Sequence, residues 1–536
     1  MASPSLAKLG KMLQADVARG EIGLASLLAI EELSSHPELA IAIIDSLIPD
    51  ACKTVPNEDA VATGVLMLGT VLEGIRYGVE AGRREANSLA QEVRRHLIAA
   101  EASGRMKPAL MLLILNQFVD AKLDVGDELQ AVMLRMIEDD AATAPAAALR
   151  EGAEGLQQLA RAFDGNPFDI HGHWKELAEA LPEVAQVKLA LSLLTEAEDG
   201  LAQAALGFLL SPSAEVRKEV GRALAKAAGT AAAAGKPDAP ILLRRLITLR
   251  NWLPAPERPS VDAAIKGLRQ KSVACATSAK PGKVEAYATG FDGSGMQSVF
   301  LIVKEGRKHA IVALIGRLGR GVRDAYVRHG ASKREVGAVL RSGDQMGGLA
   351  PVELDYVAAA LRQFLAGNAQ SASLPPFGLL AVAECAGLAE LAPELVAVGN
   401  VVERICTEIE PDYLAPDWVG KVLAESADWH EQYALLQSWF QEGDEVSGLL
   451  KEKRLGKSKK IALILAGPIE SHRHRWAETL AWMAMFTKAI TDAETPWREF
   501  VIVARELLSD RPIGEIGLAR SIAEQTLEAY VDSIRP

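Results

Sequence analysis

Residues 304–341 hold ten lysines and arginines against three acids, and residues 451–460 hold six against one. The rest of the chain carries 42 basic and 66 acidic residues, so a protein of net charge −12 is strongly segregated in charge. Cations gathered on an acidic body attract polyanions or acidic surfaces, and phosphate contacts of this kind weaken as salt rises. In GRLGRG, residues 316–321, three glycines would let backbone N–H groups approach an anion closely, while Arg317, Arg320 and Arg323 add charge-assisted bonds. Arg328, Lys333 and Arg334 extend this basic flank, and Lys457, Lys459 and Lys460 belong to the second segment. These nine residues are the candidates for binding a polyanion or a partner. The spacing is neither GxGxxG nor GxxxxGK[ST], so no nucleotide and no cofactor is expected. The plainer use of such charge is pairing with acidic helices of the same chain or of a partner subunit.

Other chemistry is weakly indicated. His171-Gly-His173 and His472-Arg-His474 set two rings at i and i+2, which point to different faces of a helix, whereas helix-borne metal sites use i, i+4. The first pair reads as a loop ahead of the helix WKELAEALPE, no carboxylate or cysteine completes a ligand set, and no metal is expected. Asp292 and Ser294 in DGSG have no GxSxG elbow and no oriented base, and turn duty accounts for Asp292, Gly293 and Gly295, so no catalytic residue is assigned. Among Tyr287, Phe291, Phe300 and Tyr326, Phe300 belongs to an apolar run and reads as core, leaving Tyr287 and Phe291 as the free rings for stacking. Cys52, Cys275, Cys385 and Cys406 show no CxxC spacing and read as buried free thiols.

The elements that must carry the basic segments are helical on nearly every side. In SPSAEVRKEVGRALAKAAG, residues Val216, Val220, Ala223, Leu224 and Ala227 form one apolar stripe, with Ser211 and Ser213 as capping oxygens and Gly229 at the C-cap position. LPEVAQVKLALSLLTEAEDG and LAQAALGFLL precede it as two further helices joined by a tight turn. Over residues 183–229 this pattern, with Val216-Arg217 after a Ser-Pro turn, resembles a HEAT-type helical repeat. That resemblance implies an α-solenoid, here irregular, because no second unit shares the spacing.

One segment breaks the helical period. KVEAYATG alternates, DGSG supplies a turn, SVFLIVK is β-branched, EGRK turns again and HAIVALIG follows, which predicts a three-stranded antiparallel β-meander at about 283–316. Ser332 and Glu335 form a capping box for a helix running to about Arg341, SGDQMGGLAP reads as a loop, and AQSASLPPF at 369–377 reads as a linker. The expected fold is mostly α: an irregular stack of helical hairpins with a small embedded meander. Three regions are expected, 1–240 helical, 241–370 with the meander and a basic helical flank, and 371–536 helical again.

Apolar residues at 49% and charged residues at 24% are ordinary for a globular protein, and aromatics at 5% leave Ala, Leu and Val to fill the core. The N-terminal residues have no apolar run of the kind a secretory signal needs, which predicts a cytoplasmic protein. The runs ALMLLIL and IALILAG fall short of the roughly 20 residues that span a bilayer, so no membrane partner is expected. The leading functional expectation is a non-enzymatic scaffold or adaptor that binds a protein partner through a helical surface and the β-insert. The alternative is a nucleic-acid-binding protein that uses the basic segments 304–341 and 451–460.

Overall fold

Among the described residues, helices flank one antiparallel sheet on both sides along the chain, so the protein is mostly α with a small embedded β element. The computed structural model describes residues 5–17, 24–51, 57–80, 83–143, 160–179, 181–195, 199–228, 230, 235–277, 280–388, 391–441, 443–450, 455–490 and 495–533. Contacts divide the chain into two compact units, Met1–Leu224 and Ala225–Pro536. The expected linker at 369–377 separates nothing, because the helices on either side of it both pack on the same strand.

The first unit is helical throughout its described residues. It runs α1 (Leu6–Val17), α2 (Leu24–Ser34), α3 (Ala40–Ala51), α4 (Glu58–Glu80), α5 (Arg84–Ala102), α6 (Pro108–Asp120) and α7 (Asp127–Thr143). Then follow α8 (Pro167–Glu179), α9 (Glu183–Thr195), α10 (Asp199–Ala204) and α11 (Ala214–Ala228), which crosses into the second unit. Within α4, residues 59–79 are long and apolar enough to cross a membrane by length and composition, although Thr63, Thr70, Glu73 and Arg76 break them into short apolar runs. Leu68, Val71, Leu72 and Ile75 of this helix are fully buried, and α1, α2, α3, α5 and α6 all pack on it, which is how a core helix acquires the same composition.

Ser213 caps α11, its Oγ accepting from the Val216 N–H at 3.2 Å. The buried stripe is Val216, Val220, Leu224 and Ala228, whereas Ala227 faces solvent and Gly229 lies outside the described residues. LAQAALGFLL is not one helix: α10 tightens at Ala205 into a 3₁₀ segment, Ala205–Leu210, buried along its whole length. His171 fills the space alongside, edge-on to Phe208 with ring centroids 5.1 Å apart and pressed against Gly207. The HxH pair is thus inside α8 rather than in a loop before it, with His171 buried and His173 exposed. Among the described residues no three His, Cys, Asp or Glu gather as metal ligands.

Burial, then the Lys175 charge, pushes the His171 imidazole down from 6.5 to about 3. The folded protein therefore binds fewer protons than the unfolded chain between those values. Its stability from His171 is complete above 6.5 and falls as pH drops toward about 3. Thermal unfolding at descending pH should show a loss approaching about 1.4 kcal/mol per pH unit in this window. His171→Phe should flatten that component, and an unchanged slope would show that His171 does not set it.

In the second unit α12 (Ala239–Trp252) and α13 (Arg258–Gln270) precede the sheet. The strands are β1 (Val284–Ala288), β2 (Met296–Glu305), β3 (Lys308–Arg317), β4 (Gly321–Ala331) and, after α14 (Lys333–Gly347), β5 (Ala350–Val352). Their order is β4-β3-β2-β1-β5, and every pairing is antiparallel. The sheet thus has five strands where three were expected. The basic flank at 321–331 is a strand rather than a helix, and SGDQMGGLAP is the last turns of α14 followed by β5 rather than a loop. The capping box of Ser332 and Glu335 starts α14 as its residue types predict.

Both sheet faces are covered. Val336, Val339 and Leu340 of α14 pack over Ile302 and Ile311. On the opposite face lies α15 (Leu354–Gln370), with α16 (Gly378–Cys385) beside β4. The helical remainder comprises α17 (Val398–Cys406), α18 (Pro416–Glu425), α19 (Trp429–Gln432), α20 (Asp444–Leu450) and α21 (Lys457–Ile464). It closes with α22 (Arg473–Lys488), α23 (Trp497–Leu508) and α24 (Gly517–Ser533).

Candidate functional site

Pairing sets where the basic residues stand. Arg317 faces Gly321 at one end of the β3–β4 ladder, and His309 faces Ala331 at the other. The ten residues of β3 span about 30 Å at the usual strand rise, so Arg317 and Arg320 lie a full strand away from Lys333 and Arg334. Between them Arg323 is the extra residue of a β-bulge, and Arg328 pairs with Glu335. The run 304–341 is therefore spread over the end of β2, the length of β3, the edge strand β4 and the start of α14 instead of forming one patch. Arg320, Arg323, Arg328, Lys333 and Arg334 are all exposed.

The second segment does not join them by packing. Lys457, Lys459 and Lys460 open helix α21, and that helix packs on α20 and α24, whereas α14, α15 and α16 are the sheet's principal helices. Lys457 lies 3.6 Å from Glu528. Lys451, Lys453 and Arg454 lie outside the described residues.

The glycines of GRLGRG serve the fold more than a ligand. A Cβ at Gly316 would sit 2.2 Å from the Phe364 ring, and one at Gly321 2.1 Å from Asn368, whose Oδ1 accepts from the Val322 N–H at 2.8 Å. These close approaches let α15 seat on the sheet. Packing thus accounts for Gly316 and Gly321, and of the three only Gly319 stands in open space.

The aromatic assignment also changes. Phe291 is fully buried, Tyr287 is half-buried against the α14 core, and Tyr326 is the exposed ring at 52%. Tyr326 stands on β4 opposite Ala313, two residues from Arg328. Cys275 is exposed rather than buried, Cys385 and Cys406 are half-buried, and Cys52 lies outside the described residues. Burial, with the Glu305 charge adding to it, pushes the Cys385 thiol up to about 11, so it is inert as a nucleophile.

β4 is an edge strand, yet its middle is closed to strand addition. The Ala325 N–H donates to the Asp324 carboxylate at 2.9 Å, and a Cβ on Gly378 of α16 would lie 1.9 Å from the Ala325 carbonyl oxygen. Both polar groups of that residue are thereby occupied or shielded, a common protection of natural sheet edges.

At the other side of Arg317 the DGSG turn joins β1 to β2. Asp292 Oδ1 accepts from the Ser294 N–H, the Ser294 hydroxyl and the Met296 N–H, each at 2.8 Å, so the aspartate holds its own turn. Arg317 Nε donates to the Ser294 carbonyl at 2.9 Å. From α22, Arg475 lies 4.2 Å over the Trp476 ring and donates through Nη2 to Gln441 Oε1 at 3.1 Å. Thr479, one helical turn from Arg475 and bonded to its carbonyl, comes within 3.9 Å of a Cβ position on Gly295. Two half-buried arginines thus flank one turn, and the Nε of Arg475 is buried without a hydrogen-bond partner. Burial, then the charge of Arg317, depresses the Arg475 guanidinium below its ordinary value, with Asp292 acting the other way. Sequence reasoning finds Arg317 from the glycine-rich basic run but misses Arg475, a single arginine on an otherwise core-forming helix.

Comparison with known proteins gives relatives without an activity. A family described as the Y4lR C-terminal helical domain matches residues 399–531, and one described as the Y4lR second domain matches residues 182–272. The chain is 22% identical over 508 residues to the "Uncharacterized protein y4lR" of Sinorhizobium fredii (strain NBRC 101917 / NGR234), an alignment covering 93% of this chain and 94% of that protein. No solved structure matches. The sheet falls between the two matched domains, while Gln441 and Arg475 fall inside the C-terminal one.

Proposed function

We propose that the protein is a non-enzymatic scaffold that binds an acidic segment of a protein partner along β4. The observation that carries this reading is Tyr326, half exposed on a sheet otherwise covered on both faces, with Arg323 and Arg328 exposed close by. Tyrosine and arginine are the residue types that dominate binding energy at protein interfaces, and the arginines select an acidic partner by charge. Because the edge is closed at Ala325, recognition falls to side chains and not to an added strand. The successive helices α9, α10 and α11, with the buried stripe of α11, support the scaffold half of the reading. Nucleic acid is less well supported, since single-strand binding uses several stacking rings and this strand offers one.

The test is fluorescence anisotropy with a labelled glutamate-rich peptide and a labelled single-stranded RNA of equal charge, from about 50 to 200 mM salt. The peptide should bind more tightly than the RNA, and the combined change Arg323→Ala, Tyr326→Ala and Arg328→Ala should weaken it by about 10- to 100-fold. Unchanged peptide affinity in that variant removes the β4 surface. Tighter RNA binding with a steep salt slope puts nucleic acid in its place.

A further inference from the structure

We propose that Arg317 and Arg475 form a binding site for a phosphate-type oxyanion, free phosphate or a small phosphate monoester, beside the Asp292–Gly295 turn. The site is distinct from the β4 surface, so the two readings fail independently.

Geometry supplies the first support. Arg317 reaches the turn from the end of β3 through its 2.9 Å bond to Ser294, and Leu318 N donates to the Gly295 carbonyl at 3.0 Å. Arg475 approaches from α22, one turn before Thr479, whose Oγ1 lies 3.9 Å from a Cβ position on the same glycine. Three elements distant in sequence thus converge, and two of them deliver a guanidinium.

Charge supplies the second. Among the described residues neither arginine has a carboxylate within ion-pairing distance, in a chain that has more acids than bases. The nearest acid, Asp292, spends one oxygen on three bonds inside its own turn. Among the described residues Arg475 has only the neutral Gln441 oxygen and the Trp476 face, and its buried Nε has no acceptor. A guanidinium removed from water without a counter-ion is costly, and the Arg317 charge adds to that cost at Arg475. An oxyanion placed between them would accept from the Arg475 Nη groups and from the Arg317 Nη groups, which make no hydrogen bond among the described residues. Arginine forks suit a tetrahedral phosphate, whose several oxygens can each accept a bond, better than an aliphatic carboxylate with two.

The experiment is calorimetric titration of the full chain with inorganic phosphate and with O-phosphoserine, with acetate at matched ionic strength as the control. Saturable binding of phosphate or phosphoserine, and none of acetate, is expected; the tighter of the two identifies the free ion or the monoester as the ligand form. Arg317→Gln should weaken binding by about tenfold or more. It should also leave the thermal midpoint of the ligand-free protein unchanged or higher, because one of two repelling charges is gone. Arg334→Gln, at the far end of the strand, should bind as the parent does. Where Arg475→Gln fails to fold, Arg475→Lys keeps the charge and loses the fork, and should weaken binding likewise. Equal affinity in Arg317→Gln, an equal response to acetate, or no binding of either phosphate compound would overturn the site.

Discussion

Replacing Glu384 by alanine is expected to destabilise the second unit by about 3–5 kcal/mol, the usual effect of stripping one partner from a buried ion pair. Glu384 lies on α16 and is clasped by two consecutive arginines of α12, about 140 residues earlier in the chain. Arg245 binds it as a fork, Nε to Oε1 at 2.9 Å and Nη2 to Oε2 at 2.7 Å, and Arg244 Nη2 adds 2.8 Å to Oε1. Arg245 is 8% exposed, so its charge cannot turn to water when the carboxylate is removed. Burial opposes ionisation of Glu384, but the hydrogen bonds and charge of Arg245, then Arg244, outweigh it and hold the carboxyl below its ordinary 4.5. This contribution is therefore complete above the ordinary carboxylate range and is lost as pH falls through the lowered value. Urea unfolding followed by tryptophan fluorescence reads the effect, since every tryptophan except Trp174 lies in this unit. Arg244→Ala should cost less, because Arg245 keeps the fork. A loss from Glu384→Ala no larger than that of an exposed pair would show that the clasp does not hold α12 to α16.

How much of this could be read from residues alone depended on the range of the interaction. Local rules worked where local chemistry decides: the Ser332–Glu335 capping box, the Asp292 turn and the Val216–Val220–Leu224 stripe all appear as their spacing predicts. β4 escaped because an edge strand needs no alternation. Arg323, Asp324, Tyr326, Arg328 and His329 are exposed, a bulge breaks the period, and the stretch reads as a charged flank. The glycines at 316 and 321 carried a real signal, close approach, but toward Phe364 and Asn368 and not toward a ligand. Arg475 was invisible for a different reason. Within RHRWAETLAWMAMF it resembles any helix-surface arginine, and only the fold brings it to Arg317.

Trp439→Ala is expected to cost about 3–5 kcal/mol, the range for removing a buried aromatic from a packed core. Trp439 is fully buried, tilted over Trp476 with ring centroids 5.7 Å apart, and its Nε1–H donates to the Phe291 carbonyl at 3.0 Å. That bond ties the residue before the DGSG turn to the C-terminal helices, so the side chain both fills space and fixes the turn. Trp439→Phe separates the two roles. Phenylalanine keeps much of the contact with Trp476 but cannot donate, leaving the Phe291 carbonyl unpaired at a cost of about 1–3 kcal/mol. A phenylalanine variant as damaged as the alanine variant would show that the hydrogen bond outweighs the packing. Because Arg475 rests on the Trp476 face at 4.2 Å and Arg317 on the turn, the phenylalanine variant should also weaken phosphate binding while remaining folded. Undiminished phosphate affinity in that folded variant would mean that the two guanidinium groups keep their spacing without Trp439, and that β3 and α22 alone position them.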